Sequence, residues 1–399
     1  MTILVLNAGS SSLKWKLYQT TTQQALASGL IENIGDAQAN FNLESPQLQQ
    51  KRSLPIPTYA TAFKLLFETL EKYEIVDINK LSGVGHRVVH GGEQFTQPTL
   101  VNPKTLQKLK LLNALAPLHN PANLLGIETI MELAPHLSNV AVFDTAFHQS
   151  IPDYAYRYAL PEALYQEDKI RRYGFHGTSH HYLAKQAAHL LKKELSSLNL
   201  ITLHLGNGAS ACAIKQGQSV DTSMGFTPLE GLIMGTRSGD IDPAIVAYIM
   251  ENRNLSIQDV TKLLNKESGL KGVCGENDMR TILKQASEGE EKAQLALNMF
   301  VYRIKKYIGA YMAVLGRVDA IVFSGGIGEH TPLLRSRVLE GMSTLFGFDV
   351  NEDLNTQNKS SFIQETNAPV ALLVIETNEE LQIALETAKK LVKPKSNIY

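Results

Sequence analysis

The chain has 399 residues, enough for two or three domains, and its 44% hydrophobic against 19% charged content supplies large cores and excludes a disordered protein. Its 38 Lys and Arg against 39 Asp and Glu leave a net charge of −1, so no global basic field serves nucleic acid or an anionic membrane, and any anion site must be local. No apolar run nears the roughly 20 residues that span a bilayer, Met1 leads into an apolar strand without a charged leader, and Cys212 and Cys274 match neither a disulfide framework nor zinc spacing, so a cytoplasmic protein with reduced thiols is expected, with no nucleic-acid or membrane partner.

Thr2 to Leu6 is an apolar run and Asn7 to Ser12 a turn of small residues. Leu13, Trp15 and Leu17 then alternate with Lys14, Lys16 and Tyr18, which completes a hairpin pattern. Gly35 to Pro57 is polar and reads as outer strands or a surface excursion. Apolar spacing predicts helices over Thr61 to Tyr73, Thr105 to Leu115 and Asn123 to Leu133. Between them, Val84 to Val89 is a strand that carries Arg87 into the Gly91-Gly92 turn. Asn139 to Phe143 is a buried strand ending at Asp144, where α/β sheets place ligand groups, although an Asx turn would use the same residue. Tyr154 to Asp168 reads as a connection. Thr178 or Ser179 is expected to cap a helix with Leu183, Ala187, Leu190 and Leu191 on one face.

Leu198 to Ile214 repeats the opening hairpin about 200 residues on, with Gly206-Asn207-Gly208 as its turn. Neither glycine has a side chain, so backbone N–H groups there can approach a phosphate closely. The repetition predicts two related domains, each bringing a small-residue turn to a shared cleft. Asp221 to Pro243 is glycine-rich, has no helical or strand period, and reads as a long functional loop in which Arg237 stands between small residues. Glu291 to Leu315 is helical, with Leu295, Phe300, Ile304, Ile308, Tyr311, Met312 and Leu315 expected on one buried stripe. Asp319 to Phe323 is a strand opening into a third glycine-rich turn, Ser324 to Glu329. Val370 to Ile375 is the last strand, and Thr377 to Glu380 begin a terminal helix running to about Val392.

Three phosphate-type turns, two arginines in glycine-rich surroundings, loop histidines and acids at element ends are the equipment of phosphoryl transfer. Neither a Walker Gly-x-x-x-x-Gly-Lys-Ser/Thr nor a protein-kinase set of motifs is present, so the phosphate-binding architecture is a different one.

Asn7 to Lys14, His86 to Gly92, Arg171 to His180, His204 to Gly208 and Met224 to Pro243 together resemble the acetate kinase (acetokinase) family, in order and over nearly the whole chain. The resemblance implies an α/β fold of two duplicated actin-like, ribonuclease-H-like domains with an interdomain active-site cleft. Residues 1–150 with 380–399 would form the N-terminal domain and residues 151–379 the C-terminal, nucleotide-binding one. It also implies ATP and acetate as substrates, ADP and acetyl phosphate as products, Mg²⁺ with Mn²⁺ as a substitute, and a homodimer.

By motif position, Asn7 and Glu379 are associated with the metal, Arg87 and Arg237 with the carboxylate and the moving phosphoryl group, and His176 with the transition state, assisted by His119 and His204. Nucleotide contacts are implied at Lys14, His204, Leu205, Gly206, Asn207, Gly208, Asp278, Met279, Arg280, Gly326, Ile327, Gly328, Glu329 and His330. Val89, Leu118, Phe175 and Pro228 are implied as the pocket for the methyl group. The family gives Asp144 a catalytic role. A carboxylate substrate is ionised at neutral pH, however, so Asp144 is expected to orient the metal or an arginine rather than take a proton. His330 stands where the family often carries Asn, which leaves nucleotide selectivity open. A propionate kinase differs only in pocket volume, and a nucleotide-gated binding module of the same fold would lack the paired arginines.

Overall fold

The computed structural model describes residues 1–357 and 361–392, so residues 393–399 of the expected terminal segment lie outside it. The chain separates into two compact units, one of Met1–Phe147 with the chain from Asn378 onward, the other of His148–Thr377.

The first unit is built on an eight-stranded sheet. Its strands are β1 (Thr2–Ala8), β2 (Ser12–Gln19), β3 (Gln24–Glu32), β4 (Ala39–Ser45), β5 (Leu48–Leu54), β6 (Gly83–Val88), β7 (Thr99–Val101) and β8 (Asn139–Phe143), in the order β5-β4-β3-β2-β1-β6-β8-β7. β1 and β2 form the predicted hairpin, with Asn7 opposite Lys14. β6 runs parallel to both β1 and β8. The alternation of β2 puts Leu13, Trp15 and Leu17 into a core with Leu4, Leu6, Phe41 and Phe63, the last from the helix Tyr59–Lys72. On the other face lies the helix Glu379–Leu391. Gly83 and Gly85 permit this approach: a Cβ on Gly85 would come within 2.4 Å of Thr387 Oγ1, and one on Gly83 within 2.5 Å of Leu391 Cδ1.

The second unit carries β9 (Asn199–Leu205), β10 (Ala209–Lys215), β11 (Gln218–Thr222), β12 (Ala320–Ser324), β13 (Ser361–Phe362) and β14 (Ala371–Val374), ordered β11-β10-β9-β12-β14-β13. In each unit an antiparallel meander of three strands continues through its first strand into two parallel ones: β3-β2-β1-β6-β8 in one and β11-β10-β9-β12-β14 in the other. The duplication expected from the two hairpins is therefore a duplication of sheet topology.

Several local expectations change. The helix at Thr105 starts earlier, because Asn102 caps it and Pro103 fits its first position, and it gives way after Lys110 to a 3₁₀ turn over Leu111–Leu115. Leu295 leaves the buried stripe of Glu291–Leu315 and is exposed, the stripe running instead through Ala293, Ala296, Leu297 and Phe300. Cys274 ends a short helix, Gly269–Cys274, rather than lying in a loop. Thr178 and Ser179 lie inside the helix Gly177–Leu191, whose cap position is His176, and of the expected face Leu183 and Ala187 are buried while Leu190 and Leu191 are half-buried. The turn after Ser324 winds into the short helix Gly325–His330.

Candidate active site

In the first unit the hairpin turn is fixed from beneath. Gly9 N donates to Ser12 O at 2.7 Å, and Tyr59 Oη donates to Ser12 O at 3.0 Å. Asn123, on the helix Asn120–Leu133, donates from Nδ2 to Ala8 O at 2.6 Å and accepts from Val89 N at 3.1 Å, tying the ends of β1 and β6 together. Neither residue stands out in the sequence, since a buried helical Asn and a helical Tyr are ordinary.

Arg87 reaches from β6 to Asp144, the first residue beyond β8. Its Nε donates to Asp144 Oδ1 at 3.1 Å and its Nη2 to Oδ2 at 2.5 Å, a two-pronged pair in which the carboxylate is buried. Nη1 lies 3.4 Å from Asn7 Oδ1, and Nε lies 3.8 Å from Glu379 Oε2. Glu379 arrives on the first turn of the terminal helix, which Asn378 caps by accepting from Leu381 N at 3.0 Å; Tyr18 Oη donates to that same Asn378 oxygen at 2.8 Å. Lys14 pairs with Glu380. Three carboxylates, Asp144, Glu379 and Glu380, thus face Arg87, Lys14 and Lys16, the last acting on Glu380. Burial, with Asp144 and Glu380 nearby, pushes the Glu379 carboxyl well above its ordinary value although Arg87 pulls the other way. Val89 is buried, whereas Leu118 and His119, at the start of the helix Asn120–Leu133, are exposed.

In the second unit the turn between β9 and β10 closes by a bond from Gly206 N to Gly208 O at 3.0 Å. Asn207 O accepts from Gly235 N at 3.0 Å, joining this turn to the long loop after β11. Two side chains approach the turn's tip: a Cβ on Gly208 would sit 3.4 Å from His176 Cε1, 3.5 Å from His176 Nε2 and 3.7 Å from Arg237 Nη1. His176 holds a left-handed backbone at φ 56, which only the fold around it sustains. Its Nδ1 is 2.9 Å from Ser210 Oγ, and its ring lies 4.4 Å from that of His204, whose Nδ1 is 2.8 Å from Ser179 Oγ. Arg237 Nη1 donates to Pro228 O at 3.1 Å, and the guanidinium has no carboxylate partner among the described residues. Its desolvation, uncompensated by a counter-charge, pulls its pKa down.

The loop bearing Arg237 and Pro228 is irregular but held at both ends. Arg172 Nη1 donates to the carbonyls of Thr222, Ser223 and Met224 at 2.9, 3.1 and 3.1 Å, while its Nη2 pairs with Glu230 at 2.6 Å. Tyr158 Oη donates to Glu230 and accepts from Phe226 N at 2.9 Å. Farther along, Arg303 donates to Gly231 O at 2.9 Å and Asp240 O at 3.2 Å, and Tyr307 Oη donates to Asp240 Oδ2 at 2.9 Å.

Gly325, at φ 74, packs against the end of β9, where a Cβ would meet Leu205 O at 2.7 Å; the segment Gly325–His330 therefore stands beside the Gly206 turn. Glu329 does structural work there. Its Oε1 accepts from Gly325 N at 2.8 Å, Thr377 N at 3.1 Å and Ser324 Oγ at 3.2 Å, whereas His330 is exposed. Asp278 caps the helix Met279–Ser287 and pairs with the exposed Arg280, which draws the Asp278 carboxyl down to about 2. Met279 and Phe175 are buried, and Pro228 is half-buried.

A sequence model of the acetokinase family matches residues 2–385. An acetate kinase of Sulfurovum sp. is 53% identical over 97% of this chain and 98% of its own length, and one of Helicobacter acinonychis is 52% identical over 98% and 100%. Among solved structures, a Porphyromonas gingivalis acetate kinase has a TM-score of 0.93 at 40% identity, covering 98% of this chain and 100% of its own. A Francisella tularensis propionate kinase has a TM-score of 0.91 at 44% identity, covering 96% and 98%.

Proposed function

The chain belongs to the acetokinase family, and on that premise we propose that it transfers the γ-phosphoryl group of ATP reversibly to acetate, giving acetyl phosphate and ADP. The observation that carries the reading is the tip of the second hairpin. There the Gly208 backbone, the Nε2 edge of His176 and the uncompensated guanidinium of Arg237 converge, an anion-ready arrangement built on a glycine turn.

An acetate oxygen attacks the γ-phosphorus in line as the bond to the bridging oxygen breaks and ADP leaves with the electron pair. Acetate is already ionised at neutral pH, so no base is required. Asp144 fits that demand: buried and bonded twice to Arg87, it is placed to orient the guanidinium. Arg87 is assigned to the acetate carboxylate. Arg237 and His176 are assigned to the equatorial oxygens, on which charge spreads in the transition state, with His119 assisting. Phosphates of the nucleotide are assigned to the amides from Leu205 to Gly208 and to the Gly326 to Gly328 turn. Lys14, His204, Asp278, Met279, Arg280, Ile327, Glu329 and His330 complete that assignment, Glu329 by shaping the turn. Val89, Leu118, Phe175 and Pro228 are assigned to the methyl group.

Among the described residues no group of three or more His, Cys, Asp or Glu forms a ready metal cage. Mg²⁺ needs none, since it keeps waters and takes one or two carboxylates beside substrate phosphates. Asn7 Oδ1 and the Glu379 carboxylate fit as hard oxygen donors, and the carboxylates of Asp144, Glu379 and Glu380 around Arg87 suit a cation there. Bound Mg²⁺, or Mn²⁺ in its place, would neutralise phosphate charge. The helix Ala244–Arg253 has no buried residue and exposes Ile245 and Tyr248, which supports a homodimer with a second copy covering it. We infer a cytoplasmic enzyme. No helix among the described residues is long and apolar enough to cross a membrane.

The Francisella relative favours a second reading, propionate as acceptor. One methylene in an apolar pocket discriminates by only about 10- to 200-fold. Hydroxylamine trapping of acyl phosphate with MgATP and acetate, propionate or butyrate in turn decides between them. The highest kcat/KM is expected with acetate; a higher value with propionate selects the second reading, and no hydroxamate from any acid removes both.

A further inference from the structure

Behind His176 runs a buried chain of hydrogen bonds that the reaction as described does not use. Thr202 Oγ1 is 2.7 Å from His180 Nδ1, His180 Nε2 is 2.8 Å from Ser210 Oγ, and Ser210 Oγ is 2.9 Å from His176 Nδ1. Thr202 and Ser210 lie on paired strands, β9 and β10, and His180 on the helix that His176 opens; all three are wholly buried. Burial, with His148 and His204 nearby, holds His180 neutral, so its ring carries a single N–H.

Each link in this chain must have one donor, and the hydroxyls offer one proton apiece. If Thr202 donates to His180 Nδ1, His180 Nε2–H donates to Ser210 Oγ and Ser210 donates to His176 Nδ1, every proton is used. Were His176 Nδ1 the donor instead, either Ser210 or Thr202 would be left with a buried hydroxyl proton and no acceptor among the described residues. A buried donor left unmade biases such alternatives by about 5- to 100-fold. We propose that Thr202, His180 and Ser210 are positioning residues that fix His176 as its Nε2–H tautomer, so that a neutral N–H donor is presented on the edge that lies against Gly208. The inference rests on the assignment of His176 to the moving phosphoryl group, and it extends the working part of the site inward to a threonine two strand positions before His204.

The test reads the tautomer directly. In protein labelled with ring-¹⁵N histidine, the His176 signal is identified by its loss in His176→Gln. The parent chain and Thr202→Ser are expected to show the Nε2–H form, and Thr202→Val a mixture with the Nδ1–H form. An Nδ1–H or charged His176 in the parent chain overturns the proposal, as does an unaltered tautomer in Thr202→Val. Should Thr202→Val not fold, Ser210→Ala asks the same question one link nearer.

In turnover, Thr202→Val and Ser210→Ala are expected to lower kcat by about 10- to 100-fold, as loss of outer hydrogen-bond partners does elsewhere, with KM for ATP and acetate little changed. Neither should lower it further in a His176→Gln background. A further loss in that background means that the residues act on folding rather than through His176. If His176→Gln itself keeps full kcat, the role given to His176 fails, while the ¹⁵N spectrum still decides the hydrogen-bond chain.

Discussion

Of the residues singled out, Asp144 shows how differently one side chain reads before and after its partners are seen. From sequence it is an acid at a strand end, as readily an Asx turn-former as a ligand group, and expected to orient a metal or an arginine rather than take a proton. In the fold it is buried against Arg87 and holds that guanidinium by both oxygens. Asp144→Asn keeps the shape, removes the charge and one acceptor, and frees Arg87 to reorient. We expect kcat to fall by about 10²- to 10³-fold. The kcat–pH profile should keep its form, since no base is removed. Loss of an ascending acidic limb in the variant would show instead that Asp144 takes a proton. Arg87, Arg237 and His176 were legible because each stands in a short motif of unusual composition. Asn123, Ser210, Thr202 and His180 were not, because their significance lies in what they touch within the packed core rather than in any local pattern. Glu329 was legible as part of a glycine turn, but its work as an acceptor for Gly325, Ser324 and Thr377 appears only when the end of β12 and the exit of β14 are seen together.

Elements with a strong period declare themselves. The strand Asn139–Phe143 and the helix Glu291–Leu315 are found at the predicted limits, and the two glycine-tipped hairpins announce a duplicated sheet. Caps and breaks are less visible: His176 occupies the position that Thr178 or Ser179 would take by propensity, because the tertiary structure sustains its left-handed backbone. The loop from Ser223 to Asp242 has no period, and its course is set by Arg172, Tyr158 and Arg303, far off in the chain. In sequence, an arginine that grips three carbonyls cannot be told from one on the surface. Gly225 tests this clamp. A Cβ there would lie 1.7 Å from Glu230 Oε2 and 2.2 Å from Tyr158 Oη. Gly225→Ala must push apart the groups that seat Pro228 and Arg237. A displacement near 1 Å at such groups is expected to lower kcat by about 10²-fold while the chain stays folded. Steady-state kinetics with a thermal melt checks it, and a variant with parental kcat would show that the loop tolerates the shift.

The whole molecule has a predictable response to acid, because it folds around histidines that cannot charge. His86 Nε2, in the first unit, donates to Asn139 Oδ1, 2.7 Å away; His148 and His180 lie in the second, between Ser219 and the Phe175 carbonyl and between Thr202 and Ser210. Burial pushes His86 and His148 down to about 4, and His180 well below its ordinary value. Above pH 6.5 these rings are neutral whether the chain is folded or not and contribute no pH dependence. Between about 6.5 and 4 the unfolded chain takes up protons that the folded one refuses, so stability falls as pH falls, at up to about 1.4 kcal/mol per pH unit for each ring. Glu379 acts in the opposite sense. Its raised carboxyl binds a proton in the folded state before the unfolded chain does, so acidification toward 4.5 favours folding through that group. Asp221, whose carboxyl burial also raises, acts in the same sense at lower pH, and three histidines against these two carboxyls leave a net loss. Urea unfolding should therefore give a lower midpoint at pH 5 than at pH 7.5, with the decline beginning near 6.5, above the range where ordinary carboxylates titrate. His86→Gln preserves a side-chain partner for Asn139 and removes one titrating ring, so it should narrow the difference between the two pH values by roughly half while changing stability at pH 7.5 little. Equal midpoints at pH 5 and 7.5 in the parent chain would mean that these rings accept protons without unfolding, and the neutral, buried core described here would then be wrong.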